Sequence, residues 1–303
     1  MMADKTTPKV VVVGSCMTDL ISYTPRLPQP GETLHGHKFS VGFGGKGANQ
    51  CVAATRLGAN AAMVAMVGDD LFGQNYLENL KSNNVDISFV GVSKEAATGE
   101  NCIIIVAGAN LKLTSFDVER VEDVIKDASV LVCQGEITPA ATLTALKLAR
   151  SHKVKTLMNA APADPFLDAA IIEHSDIFCV NESEAEVLTK VKVKTKKDVE
   201  QAAESLLQQG CKSVIITLGG DGAVYSSAEG HTHIAAEKVA PVDTTGAGDA
   251  FVGALAYYLA YHSHLVMGEM LQRSCQVATA SVLTPGTQTS YPTRDQLPSH
   301  LFS

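Results

Sequence analysis

The sequence predicts an α/β fold: a three-layer α/β/α sandwich on a mostly parallel central sheet, with a small β lid beside it. Short β-branched runs alternate with amphipathic stretches of helical period, the pattern that builds strand–helix–strand units. The runs are almost continuously apolar instead of alternating, as expected for strands covered on both faces. Two segments, 20–43 and 85–107, break this rhythm with turn residues, period-two alternation and no long helix, so they are assigned to the lid.

The first buried strand is "KVVVVG" (9–14), and "LISYTPRLPQPGETLHGHKFSVGF" (20–43) then projects from the sheet. "ANQCVAATRLG" (48–58) reads as a helix with one apolar face, followed by the strand "AAMVAMVG" (61–68), in which Met63 and Met66 read as core filler. After the second lid segment come "SVLVCQ" (129–134), "VKTLMN" (154–159), "DIFCVN" (176–181) and "SVIITLG" (213–219). Between the last two, "DVEQAAESLLQQG" places Val199, Ala202, Ala203, Leu206 and Leu207 on one helical face and stops at Gly210. No internal repeat or low-complexity tract divides the chain, so residues 1–303 are expected to form one unit.

Composition narrows the function classes. Hydrophobic residues make up 46% and charged residues 18%, as in ordinary globular proteins. The net charge of −8 argues against a nucleic-acid binder, and "KVKVKTKKD" (190–198) reads as an exposed turn because no aromatics interleave with its lysines. No apolar stretch reaches the length of a membrane span, and the first residues carry no apolar core of a secretory signal. The seven cysteines are scattered and unpaired in sequence, several within apolar runs, which fits a reducing cytoplasmic compartment, with the nucleus as a second one. The pairs His35/His37, His231/His233 and His262/His264 lack a third ligand nearby in sequence and are not read as zinc sites.

Two glycine clusters carry the chemistry. In "VDTTGAGDAFVGALAYYLAYH" (242–262), Gly246, Ala247 and Gly248 precede a long helix, and Asp243 and Asp249 flank them. A helix N-terminus presents unpaired N–H groups and partial positive charge, a site for an anion. Asp249 is then either the helix's own first-turn acid or a base awaiting a proton. In "VGFGGKGANQCVAATRLGAN" (41–60), Gly42, Gly44 and Gly47 match the dinucleotide fingerprint, with Asp69 and Asp70 about twenty residues on. The fingerprint should follow the first buried strand, which here ended far upstream, so a nicotinamide reading is disfavoured. The glycines instead let the backbone approach a polyol, with Lys46 and Asn49 as donors to its hydroxyls. Polar residues also follow the strand ends: Asp19, Glu136, Asn181, Gly219 and Gly220. Each taken singly is a plain loop or cap residue, but on one rim they make a candidate site.

The two clusters, their order and their separation resemble the ribokinase-like family of sugar kinases. "GGKGANQCVAATRLG" is similar to its N-terminal signature and "DTTGAGDAFVGALA" to its C-terminal one; "GSCMTDL", "RLPQPGET" and "GTQTSYP" extend the likeness to roughly residues 10–298. The resemblance implies ATP-dependent phosphorylation of D-ribose at its 5-hydroxyl, with Mg²⁺ bound to ATP and K⁺ as an activating cation. It implies that Asp249 is the catalytic base and that Gly246, Ala247 and Gly248 form the anion hole. Met17, Thr18, Asp19, Gly45, Lys46, Gly47, Ala48, Asn49 and Glu136, with Asp249, would hold the sugar. Asn181, Glu184, Thr217, Leu218, Gly219, Gly220, Asp221, Gly222, Gly248 and Cys275 would meet the nucleotide. Asp243, Thr245, Ser281, Thr284, Gly286 and Ser290 would ligate the monovalent cation.

Two departures from the family pattern stand out. Only "ENCIIIV" separates "ATG" (97–99) from "AGAN" (107–110), where the family has two strands and a turn. One strand is expected there. The shortening weighs against sugar closure and against the homodimer that the family clasps through this lid. Cys275 also stands where an asparagine is common. Two alternatives therefore remain beside ribose phosphorylation: a kinase for another sugar or nucleoside, and a lid-deficient, catalytically impaired sugar-binding form.

Overall fold

The structure, a computed structural model, describes residues 9–101 and 105–303. Its first half contains β1 (Val10–Val13), β2 (Met17–Tyr23), β3 (Lys38–Gly44), α1 (Lys46–Arg56), β4 (Ala61–Gly68), α2 (Leu71–Ser82), β5 (Asp86–Ser93), β6 (Gly99–Asn101), β7 (Ile105–Val106), α3 (Ser115–Glu119), α4 (Glu122–Lys126), β8 (Val130–Gln134) and α5 (Pro139–Ser151). There follow β9 (Lys155–Asn159), α6 (Ala169–Glu173), β10 (Ile177–Asn181), α7 (Glu182–Thr189), α8 (Lys196–Leu207), β11 (Ser213–Thr217), β12 (Ala223–Ser227), β13 (Gly230–Ile234), α9 (Ala247–Tyr261) and α10 (Met267–Ser281).

Nine strands form one sheet in the order β13-β12-β11-β10-β9-β8-β1-β4-β5. From β11 to β5 every neighbouring pair is parallel, and the β11–β12–β13 edge is an antiparallel meander. The near-continuous apolar runs have a direct cause. Val10 and Val12 of β1 face a core shared with α1, α2, α9 and α10, while Val11 and Val13 face a second core under α3 to α8. Both faces of each central strand are buried, so neither can be polar. Among the described residues no helix is long and apolar enough to cross a membrane.

The lid is a second sheet of order β3-β2-β6-β7. β2 and β3 pair antiparallel over seven positions, from Met17↔Gly44 to Tyr23↔Lys38. Two expectations are corrected. Residues 86–93 do not belong to the lid: as β5 they are the edge strand of the main sheet, paired parallel with β4. Residues 99–106 do not form a single strand; β6 and β7 pair antiparallel through Glu100↔Val106 and Asn101↔Ile105, a minimal hairpin laid against β2. Residues 102–104, and with them Cys102, lie outside the described residues. The other six cysteines are buried and free.

Candidate active site

The chain leaves β1 for β4 on one side and takes up β8 on the other, so a crevice opens above the carboxyl ends of β1 and β8. Asp19 and Glu136 stand beyond those ends. α1 packs along α9, which brings the two glycine clusters face to face. Asn49 Nδ2 donates to Asp249 Oδ2 at 2.9 Å, joining positions two hundred residues apart. Asp249 is buried, 6% exposed, in the first turn of α9.

The glycines of the first cluster serve the lid, not a dinucleotide. Gly42 and Gly44 lie in β3 of the lid sheet opposite Asp19 and Met17. A Cβ on Gly44 would stand 2.4 Å from Asp19 Oδ2, so only glycine leaves room for that carboxylate. Asp70, in the place of a fingerprint acid, caps α2: its Oδ1 accepts from Gly73 N at 2.7 Å and from Thr98 Oγ1 at 2.8 Å. The nicotinamide reading therefore falls on topology as well.

Beyond β3 the chain turns at Gly45 into α1, and Gly47 and Ala48 fasten this turn to the β1 loop. Gly47 N donates to Ser15 Oγ at 3.3 Å and Ala48 N to Ser15 O at 2.9 Å. Glu136 Oε2 accepts from Lys46 N at 2.7 Å and from the Ser15 hydroxyl. Burial raises the Glu136 carboxyl above the ordinary glutamate value, against the pull of those donors and of the Lys46 ammonium. Burial by itself depresses Lys46, but Asp249, Glu136 and Glu184 overcome it and hold the ammonium above its ordinary value. Lys46 thus stays charged at the meeting point of three carboxylates. Met17 and Thr18 are buried in β2.

On the far side of Asp249 a cavity of about 190 Å³ is lined by Lys46, Asn181, Glu184, Thr217, Gly246 and Gly248, among others. Asn181 and Glu184 form a reciprocal cap on α7: Glu184 N donates to Asn181 Oδ1 and Asn181 N to Glu184 Oε2, each at 2.8 Å. The same two residues therefore end a helix and border the cavity. Burial lifts the Glu184 carboxyl above its ordinary value. Leu218 to Gly222 make a tight turn after β11, closed by Leu218 N on Gly222 O at 2.8 Å, with Gly219 and Gly220 facing open space and Asp221 paired to Lys238. Cys275 does not reach this cavity. It lies in α10 with its side chain buried in the core, and burial pushes its thiol up to about 11.

Gly246 caps α9 at φ 78°, and a Cβ there would meet Thr287 Cγ2 at 2.5 Å and Tyr291 OH at 2.6 Å. Gly248 looks onto open space. Ala247 N turns to Thr244 O at 3.2 Å, so this member of the expected anion hole spends its N–H inside the turn. The expected cation ligands come from two segments, Asp243 and Thr245 just before Gly246, and 281–290, from the end of α10 into the loop whose Thr287 lies against Gly246. Asp243 accepts from Thr245 N and Gly286 N, each at 2.9 Å, and these donors hold its carboxyl below the ordinary aspartate value. Ser281 and Ser290 are buried and donate to Ala278 O and Thr287 O at 2.8 Å, which leaves their oxygen lone pairs available. With Thr284, these residues offer oxygen donors and one ionised carboxylate, the donor type that a hard cation takes. Among the described residues no group of three or more His, Cys, Asp or Glu could cage a metal.

Sequence reading missed the amides beneath Asp249. Gln50, Gln134, Asn159 and Gln288 are all buried and bonded to one another or to Asn49 and Asp249. The available signal was an amide closing an otherwise apolar strand, in "SVLVCQ" and "VKTLMN".

The sequence profile described as pfkB family carbohydrate kinase matches residues 7–294. Ribokinase of Mus musculus is 54% identical to this chain, covering 97% of it and 94% of the relative. Deoxyribokinase of Salmonella typhi is 36% identical over 96% and 98% of the two chains. The solved structure of Arabidopsis thaliana ribokinase, complexed with ribose and ATP, superposes with a TM-score of 0.89 at 26% identity, covering 98% of this chain and 100% of that one. With both glycine clusters in one crevice and the profile matched over nearly its full length, the chain belongs to the pfkB family of carbohydrate kinases.

Proposed function

We propose that this carbohydrate kinase transfers the γ-phosphoryl group of ATP to the 5-hydroxyl of D-ribose, with Asp249 as the base. The contact between Asn49 and Asp249, 2.9 Å across the crevice, carries the reading. A base at Asp249 would then lie between the Asn49 loop, read as the sugar loop, and the cavity bordered by Asn181, Glu184 and Thr217. The names of the mouse and Arabidopsis relatives support ribose as the sugar.

Phosphoryl transfer needs positioning and charge stabilisation more than covalent help. Asp19, Lys46, Asn49 and Glu136 orient the sugar, and the N–H groups of Gly246 and Gly248 meet charge gathering on the phosphoryl oxygens. Asp249 takes the hydroxyl proton as the new P–O bond forms. Asn181 and Glu184 would stand near a Mg²⁺ ion bound to the nucleotide, and that ion would offset the charge of the phosphates. K⁺ would be held by Asp243, Thr245, Ser281, Thr284, Gly286 and Ser290. The cytoplasm is the proposed compartment, and a second copy of the chain the proposed partner.

Asp249→Asn tests the reading. With ribose, ATP, Mg²⁺ and K⁺, kcat is expected to fall roughly a hundred-fold or more while calorimetric ribose binding changes little. An unchanged kcat ends the assignment. Running 2-deoxyribose, fructose and adenosine beside ribose separates the sugar alternatives, and binding without turnover identifies the impaired form.

A further inference from the structure

We infer that Gln50 is a positioning residue that locks the plane of the Asp249 carboxylate from below, independently of the sugar loop. The inference rests on the reading of Asp249 as the base. Gln50 follows Asn49 in α1 and is 1% exposed. Its Nε2 donates to Asp249 Oδ1 and to Asn159 Oδ1, each at 2.9 Å, and its Oε1 accepts from Gln134 Nε2 at 2.7 Å.

The direction of this amide chain is dictated by the main sheet. The Cys179 carbonyl on β10 can only accept, so Asn159 must turn its Nδ2 toward it, at 3.2 Å. Asn159 is then left with Oδ1 facing Gln50, and Gln50 must answer with its NH₂. One Nε2 hydrogen goes to Asn159 and the other to Asp249. The carboxylate therefore receives one N–H on each oxygen, from Gln50 on Oδ1 and from Asn49 on Oδ2.

The two donors differ in their anchors. Asn49 stands beside the sugar loop, and its Oδ1 accepts from Gln288 Nε2 at 3.0 Å. Gln50 is tied through Gln134 and Asn159 to β8, β9 and β10, three buried strands paired in the middle of the main sheet. A carboxylate's terminal torsion is a broad, two-fold rotor. Held by one donor, Asp249 could swing when Asn49 turns to meet a sugar. Held by two, it keeps its plane.

A purely structural amide cluster would serve stability and leave kcat alone, which separates the two roles. Gln50→Met keeps the volume and removes the donor. We expect kcat to fall roughly 10- to 100-fold, the worth of one hydrogen bond to a charged acceptor, with KM for ribose within about three-fold. In an Asp249→Asn background the same change should cost less than about three-fold, because no carboxylate remains to be held. Single-turnover transfer of labelled phosphate makes these low rates readable. An unchanged kcat, or equal losses in both backgrounds, overturns the role of Gln50 while leaving Asp249 as the base. Full activity of Asp249→Asn alone overturns both. Should Gln50→Met fail to fold, Gln134→Leu frees Gln50 Oε1 without touching Asp249; several-fold loss of kcat at constant KM is expected there, and no loss sinks the inference.

Discussion

Glu136 shows what a half-buried carboxylate in this crevice costs. Its pKa is raised by burial, so ionising it at neutral pH opposes folding, and the penalty fades as the pH falls through that raised value. Glu136→Gln is therefore expected to melt higher than the parent at pH 7 and to lose the advantage toward acidic pH. With Glu136 in its proposed role as a sugar ligand, ribose affinity should drop roughly ten-fold or more, because the amide keeps one accepting oxygen, turns the other into a donor and loses the charge. Thermal melts across pH beside ribose calorimetry check both halves. Gly246, like Gly44, is a residue whose identity the packing forces. An added methyl there meets Thr287 and Tyr291 within 2.6 Å at a φ that L residues avoid. Gly246→Ala should cost about 1–3 kcal/mol of stability and raise the K⁺ concentration for half-activation several-fold, read from a potassium titration of the rate.

At the scale of elements, α2 and the lid are tied by one side chain. Besides Gly73 N and the Thr98 hydroxyl, Asp70 accepts from Thr98 N at 2.7 Å, and Thr98 in turn leads into β6. Burial alone would raise the Asp70 carboxyl, but these donors outweigh it and hold the group below the ordinary aspartate value. A depressed carboxyl stabilises the fold above the unfolded pKa of about 4 and loses that contribution as pH falls through its folded value. Asp70→Ala should thus lower stability by about 1–2 kcal/mol at pH 7, with the gap to the parent narrowing in acid, as urea melts at both pH values would show. Sugar affinity should weaken with it, since β6 is the strand that borders β2 at Asp19.

Across the whole molecule, β2 and β3 keep full length although the neighbouring hairpin is minimal. Phe39 and Val41 are 61% and 51% exposed, and their partners in register, Ser22 and Leu20, share that face of the lid. Two such sheets can cover each other. Sedimentation of the parent at micromolar concentration is expected to give a dimer, and Phe39→Asp a monomer that still melts cooperatively. A monomeric parent would remove the second copy from the proposal.

The fold was legible because its evidence is local. Each buried strand had to be apolar on both faces, and an outer helix such as α8 had to show one apolar stripe, Val199, Ala202, Ala203 and Leu206, and a stop at Gly210, whereas α9 is buried all round from Asp249 to Leu259. β5 was not legible, since its half-buried edge position and its alternating "DISFVGV" look the same in either sheet. The two glycine signatures supplied the ends of the site in the same way, through residue types that a tight turn and a helix N-terminus require. Only tertiary structure decided what lies between them: the Asn49–Asp249 contact, the amides of Gln50, Gln134 and Asn159 beneath it, the burial of Cys275 away from the cavity, and the hairpin in place of a single strand. A hydrogen bond across two hundred residues leaves no periodicity in the chain. It exists only once α1 and α9 have packed, and that packing is a property of the assembled sheet.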